Sequence, residues 1–130
     1  MIGTAELDIS GYLNECVAAG IQYITFTPSG INMAAASNFG KALAEVSGQE
    51  NIKGLDLSEV GSAQYADLTG AFAGYSTLEV LDISNWNAYN PTFIQSGLTS
   101  GDKKFYYNEL TNQSYIDYLV SLGWTPIMKG

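Results

Sequence analysis

The sequence predicts an α/β fold built as a short solenoid, in which about four parallel strands stack side by side and a helix caps each end. Three observations lead there. The stretch "STLEVLDISNW" at 76–86 repeats "ENIKGLDLSEV" at 50–60 with a step of 26 residues (81 − 55 = 26), so that Ile52 answers Leu78, Asp56 answers Asp82, Leu57 answers Ile83 and Ser58 answers Ser84. Weaker copies flank this pair, and amphipathic helical patterns occupy both ends of the chain. A unit too small to bury its own apolar face gains a core by stacking on a copy of itself, so a period of about 20 to 50 residues implies a solenoid.

From the N-terminus, Ile9, Tyr12, Leu13, Cys16 and Val17 fall at i, i+3, i+4, i+7 and i+8. That is one face of a helix, which Asp8 or Ser10 could cap and Gly20 could end, making 1–20 an N-terminal cap. The repeats occupy 21–108. "QYITFTP" sets Ile24 and Phe26 against Leu55 and Leu57, predicting a strand near 22–27. Phe39, Ala42 or Leu43, and Val46 then recur at helical spacing before Gly48 and a strand at 53–58. The next unit repeats this with Tyr65, Leu68 or Thr69, and Phe72, then Gly74 and a strand at 80–84. In "KKFYYNE", Phe105 and Tyr107 take the inward places of Leu81 and Ile83, giving a strand at 104–108. Residues 109–130 read as a C-terminal cap helix, with Tyr115, Leu119 and Leu122 on one face after an Asn/Thr start and Gly123 as its stop. The glycine turns at 28–30, 61–63 and 99–104 have no phosphate-loop spacing ahead of a helix.

Composition narrows the function. The chain has 130 residues, 46% of them hydrophobic and 14% charged, with a formal charge of −8. That is enough for one folded domain with a real core. Its five basic residues are all lysines, and histidine is absent. Nucleic acid is gripped mainly by Arg and Lys, so this balance argues against a nucleic-acid partner, and equally against anionic membranes and phosphorylated cofactors. Without histidine there is no Ser/His or Cys/His nucleophile pair, and the commonest metal ligand is missing. Cys16 is the single cysteine, with no nearby cation to activate it, and reads as a small buried apolar residue. The start "MIGTAELDIS" lacks the basic residues and apolar run of a secretory signal, and no stretch of about eighteen apolar residues predicts membrane insertion.

The segment "YADLTGAFAGYSTLEVLDISNWN" at 65–87 resembles the BspA-like leucine-rich repeat: Phe72, Gly74, Leu78, Leu81, Asp82, Ile83, Ser84, Asn85 and Trp86 fill the consensus places. The preceding unit keeps Gly48, Ile52, Leu55, Asp56, Leu57 and Ser58 but has Glu59-Val60 where the later one has Asn-Trp. The resemblance covers about residues 39–87. It implies a leucine-rich-repeat-like solenoid, right-handed, with the parallel sheet on one side and helices on the other, used for binding and not for chemistry.

Strand alternation turns Asp56 and Asp82 outward if Leu55, Leu57, Leu81 and Ile83 point in. On neighbouring strands about 4.8 Å apart they could be an acid pair for glycoside hydrolysis. The plainer reading is turn hydrogen bonding on a solvated acidic face. Glu59 and Asn85 could add hard oxygens for calcium, but the spacing matches no calcium loop, so no metal and no cofactor are expected. Aromatic residues crowd the region from Trp86 to Trp124. Phe105, Tyr107, Tyr115 and Trp86 suit the core, whereas Tyr106 should point outward beside Asp82, and Tyr89 and Tyr118 have no evident core place. Candidate partner-binding residues are therefore Asp56, Asp82, Tyr89, Tyr106 and Tyr118, because exposed tyrosines make favoured anchors for proteins or sugar faces.

The expected function is non-catalytic interaction or scaffolding as a small subunit of a larger assembly, such as capsid decoration or a surface protein of a bacteriophage virion. Its partners would be capsid or other assembly subunits, including copies of itself. The alternatives are an adhesin-like or carbohydrate-binding module with glycan partners and, more remotely, the hydrolase. The matching location is a virion or other extracellular assembly reached without a signal peptide, or else the cytoplasm.

Overall fold

The computed structural model describes residues 9–25, 39–59 and 67–129. Along the chain run α1 (Ile9–Ala18), β1 (Tyr23–Thr25), α2 (Phe39–Ala44), β2 (Gly54–Asp56), β3 (Val80–Asp82), β4 (Lys104–Tyr107), α3 (Gln113–Ser121) and β5 (Thr125–Met128). Short 3₁₀ turns at Gln49–Asn51 and Pro91–Gln95 lie in the crossovers. The five strands form one all-parallel sheet in sequence order. The chain is thus α/β, and the repeat register holds: Ile24, Leu55, Leu81 and Phe105 lie side by side.

That row is the inside of the sheet. Each of its four residues is at most 2% exposed, and they join Leu13 and Cys16 of α1, Leu43 of α2, and Tyr115 and Leu119 of α3 in one core. On α1, Tyr12 and Val17 pack on the same core from the helix edge, as the spacing predicts. Asn112 caps α3 by accepting the Ser114 N–H at 2.9 Å, which satisfies a donor the helix itself cannot and contributes about 1 kcal/mol. The cap residue Asp8, the inward Phe26, Tyr65 and the turns at 28–30 and 61–63 lie outside the described residues.

Two expectations are corrected. The sheet has five strands and not four, because the chain leaves α3 at Gly123 (φ 92) and returns as β5 beside β4. Trp124 anchors that return, buried with its Nε1 donating to Thr99 O at 2.8 Å. Pro126 is tolerated in β5 because the Thr125 and Lys129 amides donate to Lys103 O and Tyr107 O. By alternation, residue 126 would direct its N–H away from the sheet, where no partner strand needs it.

The second correction concerns the helix expected around Leu68 and Phe72. Residues 69–74 are a run of turns. Gly70 sits at φ 72, a left-handed conformation that a helix interior does not accommodate. The Gly70 and Phe72 amides bond instead to Gln95 O and Ser96 O of the next crossover, at 2.9 and 2.7 Å. Leu68 and Phe72 still reach the core from this tighter backbone.

Candidate functional site

Alternation leaves the other sheet face less covered. One outward row runs Tyr23, Gly54, Val80, Lys104 and Thr125, and the next runs Thr25, Asp56, Asp82, Tyr106 and Ile127. Two contiguous grooves cross this face and share Tyr23 and Val80. The larger, about 560 Å³, is bordered by Glu79, Lys104, Thr125 and Ile127. The smaller, about 160 Å³, is bordered by Asp56, Asp82 and Tyr106.

Tyr23 lies flat because its neighbour is glycine: a Cβ on Gly54 would stand 2.6 Å from Tyr23 Cδ1. The phenol donates to Glu79 Oε1 at 2.7 Å while the residue stays 56% exposed. The hydrogen bond to Glu79 raises the phenol's pKa above the ordinary tyrosine value, with smaller contributions from burial and the carboxylate's charge. An amphipathic ring is thereby fixed on an open surface.

The two aspartates stand on adjacent strands in matched register, yet their surroundings differ. Asp56 Oδ1 accepts from the Ser58 N–H and Oγ, at 3.0 and 2.6 Å. Asp82 Oδ1 accepts the Ser84 N–H at 3.0 Å, and its Oδ2 pairs with Lys129 Nζ at 2.5 Å. The turn hydrogen bonding expected of both is present. Asp56 is partly exposed, whereas Asp82 is not on a solvated face: it is 6% exposed beneath Lys129. That bond is the main cause of a raised Lys129 pKa, to which the charges of Asp56 and Glu59 add.

Of the sequence-predicted residues, the fold brings Asp56, Asp82 and Tyr106 together at one groove. Tyr89 and Tyr118 lie elsewhere, on the aromatic core. Tyr89 is 5.9 Å from the Tyr115 ring, and Tyr118 meets Phe93 edge-on at 5.9 Å while its hydroxyl donates to Ile94 O. The residues not anticipated are Tyr23, Glu79 and Lys129. Tyr23 carried a signal, since it precedes inward Ile24 and faces a glycine in the neighbouring strand. For Lys129 there was none.

The arrangement offers aromatic, apolar, acidic and basic groups on a fixed strand framework. Among the described residues no group of three or more Cys, Asp or Glu could hold a metal ion, and no helix is long and apolar enough to cross a membrane. No protein-family model matches the chain, and neither a curated protein nor a solved structure matches it.

Proposed function

We propose that the chain is a short leucine-rich-repeat-like solenoid of the BspA-like kind, acting as a non-catalytic recognition subunit through the uncovered face of its sheet. The observation that carries this reading is that, among the described residues, the helices all pack on one face of the parallel sheet. All-parallel sheets are ordinarily covered on both faces, whereas this one leaves Tyr23 exposed beside two grooves. A solenoid accounts for that, since stacking buries one face and presents the other as a rigid surface. The repeated strand ends support the same reading. Asp56 and Asp82, paired in register, each turn the chain by accepting the N–H two residues ahead.

The partner is a protein surface, and the setting a larger assembly such as a virion. Tyr23 and Tyr106 are the anchors, because tyrosine contributes large contact area at small rotamer cost. Co-sedimentation with purified candidate particles, read beside light scattering of the free protein, tests it. The expected result is stoichiometric capture that Tyr23→Ser weakens at least tenfold, with Asp56→Asn/Asp82→Asn keeping the fold. A chain that ignores every particle while the same face retains glycans would replace this reading with the carbohydrate-binding one. That second reading is favoured by the placing of Tyr23 and Tyr106 around the Asp56–Asp82 groove. Turnover of a chromogenic glycoside abolished by Asp82→Asn would overturn both.

A further inference from the structure

A separate recess opens at the carboxyl ends of β2 to β5, about 330 Å³ in volume. Its floor follows from the register. Asp56, Asp82, Tyr106 and Ile127 are aligned, so the residues two places further on, Ser58, Ser84, Asn108 and Lys129, form a polar row just past the strand ends, and all four border the recess.

One member of the row is left over. Ser84 is 2% exposed and its Oγ has no hydrogen-bond partner, whereas the equivalent Ser58 hydroxyl donates to Asp56. A buried hydroxyl without a partner is uncommon enough to need an explanation. Its neighbours have spare donors. Asn108 Nδ2 gives one hydrogen to Asn85 Oδ1, Asn85 Nδ2 makes only a long contact to Ser58 O, and the Lys129 ammonium is bonded to one carboxylate oxygen. Glu109 supplies an exposed acceptor at the rim, and Leu110 and Met128, 55% and 54% exposed, supply an apolar border.

The geometry points to this recess as a binding site for a neutral polyhydroxylated ligand, a sugar ring of a glycan. Hydroxyl groups accept from the Asn85, Asn108 and Lys129 donors, exchange hydrogen bonds with Ser84 and donate to Glu109, while the ring's C–H face lies on Leu110 and Met128. An anion fits worse, because Lys129 is already neutralised by Asp82 and Glu109 leaves the recess acidic in a chain of net charge −8. The inference is independent of the open-face reading, whose grooves have different borders.

Two-dimensional amide NMR of the full chain, titrated with glucose, galactose and N-acetylglucosamine, tests it, with acetate and diglycine as controls. The expected result is saturable shifts at Ser84, Asn85, Asn108, Glu109 and Lys129 for at least one sugar. Ser84→Ala should keep Tm unchanged or raise it, because no bond is lost, yet weaken that sugar about fivefold, the effect of one hydrogen bond. Sugar shifts confined to Tyr23, Val80 and Tyr106, equal shifts with acetate or diglycine, no shifts at all, or unaltered affinity in a folded Ser84→Ala protein would each overturn the assignment.

Discussion

The two central units share a strand motif, Gly54-Leu55-Asp56-Leu57-Ser58 against Val80-Leu81-Asp82-Ile83-Ser84, and use it differently. In the first, Asp56 is half-buried, Ser58 closes the turn with both its donors, and the crossover before the strand contains a helix. In the second, Asp82 is buried under Lys129, Ser84 Oγ is unpartnered, and residues 69–74 of the crossover are turns. A repeat fixes where side chains stand. The strand next door then decides what each of them meets: the second unit lies beside β4, and its aspartate is the one that pairs directly with Lys129.

Trp86 is the largest asymmetry. It is fully buried, donates from Nε1 to Leu57 O at 2.9 Å and meets Phe93 and Tyr115 edge-on at 6.3 and 5.8 Å. One side chain therefore joins the second unit to the first and to both later crossovers. Trp86→Ala should cost about 3–5 kcal/mol in urea unfolding, from the cavity and the stranded carbonyl together. A loss below about 1 kcal/mol would mean that the units stack without it.

A smaller effect is expected where the units differ at Gly54 and Val80. Gly54→Ala forces the Tyr23 ring to move and should cost about 1–2 kcal/mol by overpacking. In a Tyr23→Ser background the same change should be close to neutral, because the obstructing ring is gone. Equal costs in both backgrounds would show that Gly54 is required by the backbone and not by Tyr23.

These features separate what the chain discloses from what it conceals. The register was legible because the 26-residue repeat aligns Leu55 with Leu81, and a one-residue slip would turn the buried row outward. The Asp56, Asp82 and Tyr106 row followed from it. β5 was concealed because Pro126 argues against a strand until its place at an edge is known. Leu68 and Phe72 looked helical by spacing, but the Gly70 conformation was decided by carbonyls of the following crossover. Lys129 on Asp82 joins residues 47 positions apart, and local patterns carry no record of such a contact, whereas Tyr23 over Gly54 follows once Ile24 is aligned with Leu55.

The paired serines sharpen the comparison further, at about 1 kcal/mol and with opposite signs. Ser58→Ala removes a hydroxyl that donates to Asp56 and should cost about 0.5–1.5 kcal/mol. Ser84→Ala removes a hydroxyl with no partner and should leave stability equal or higher. Matched losses in the two variants would mean that Ser84 Oγ does form a bond in solution.

The smallest effect tests why Asp82 is buried at all. Lys129 is 48% exposed along its side chain, so the pair is solvent-screened and Lys129→Met should cost no more than about 1 kcal/mol. Its pH dependence identifies the cause. The folded-state pKa of Lys129 is raised above the ordinary lysine value, so the stabilisation is fully present below that ordinary value, near 10.4, and is lost as pH rises through the folded value. Wild type and Lys129→Met should therefore differ by a constant amount from neutral pH to about pH 10 and converge above it. Because a screened ion pair also weakens with salt, the same gap should narrow at high ionic strength. A gap that persists at alkaline pH and in high salt would assign the effect to the lysine's alkyl stem packing over the strand ends, and the burial of Asp82 would then follow from covering and not from charge.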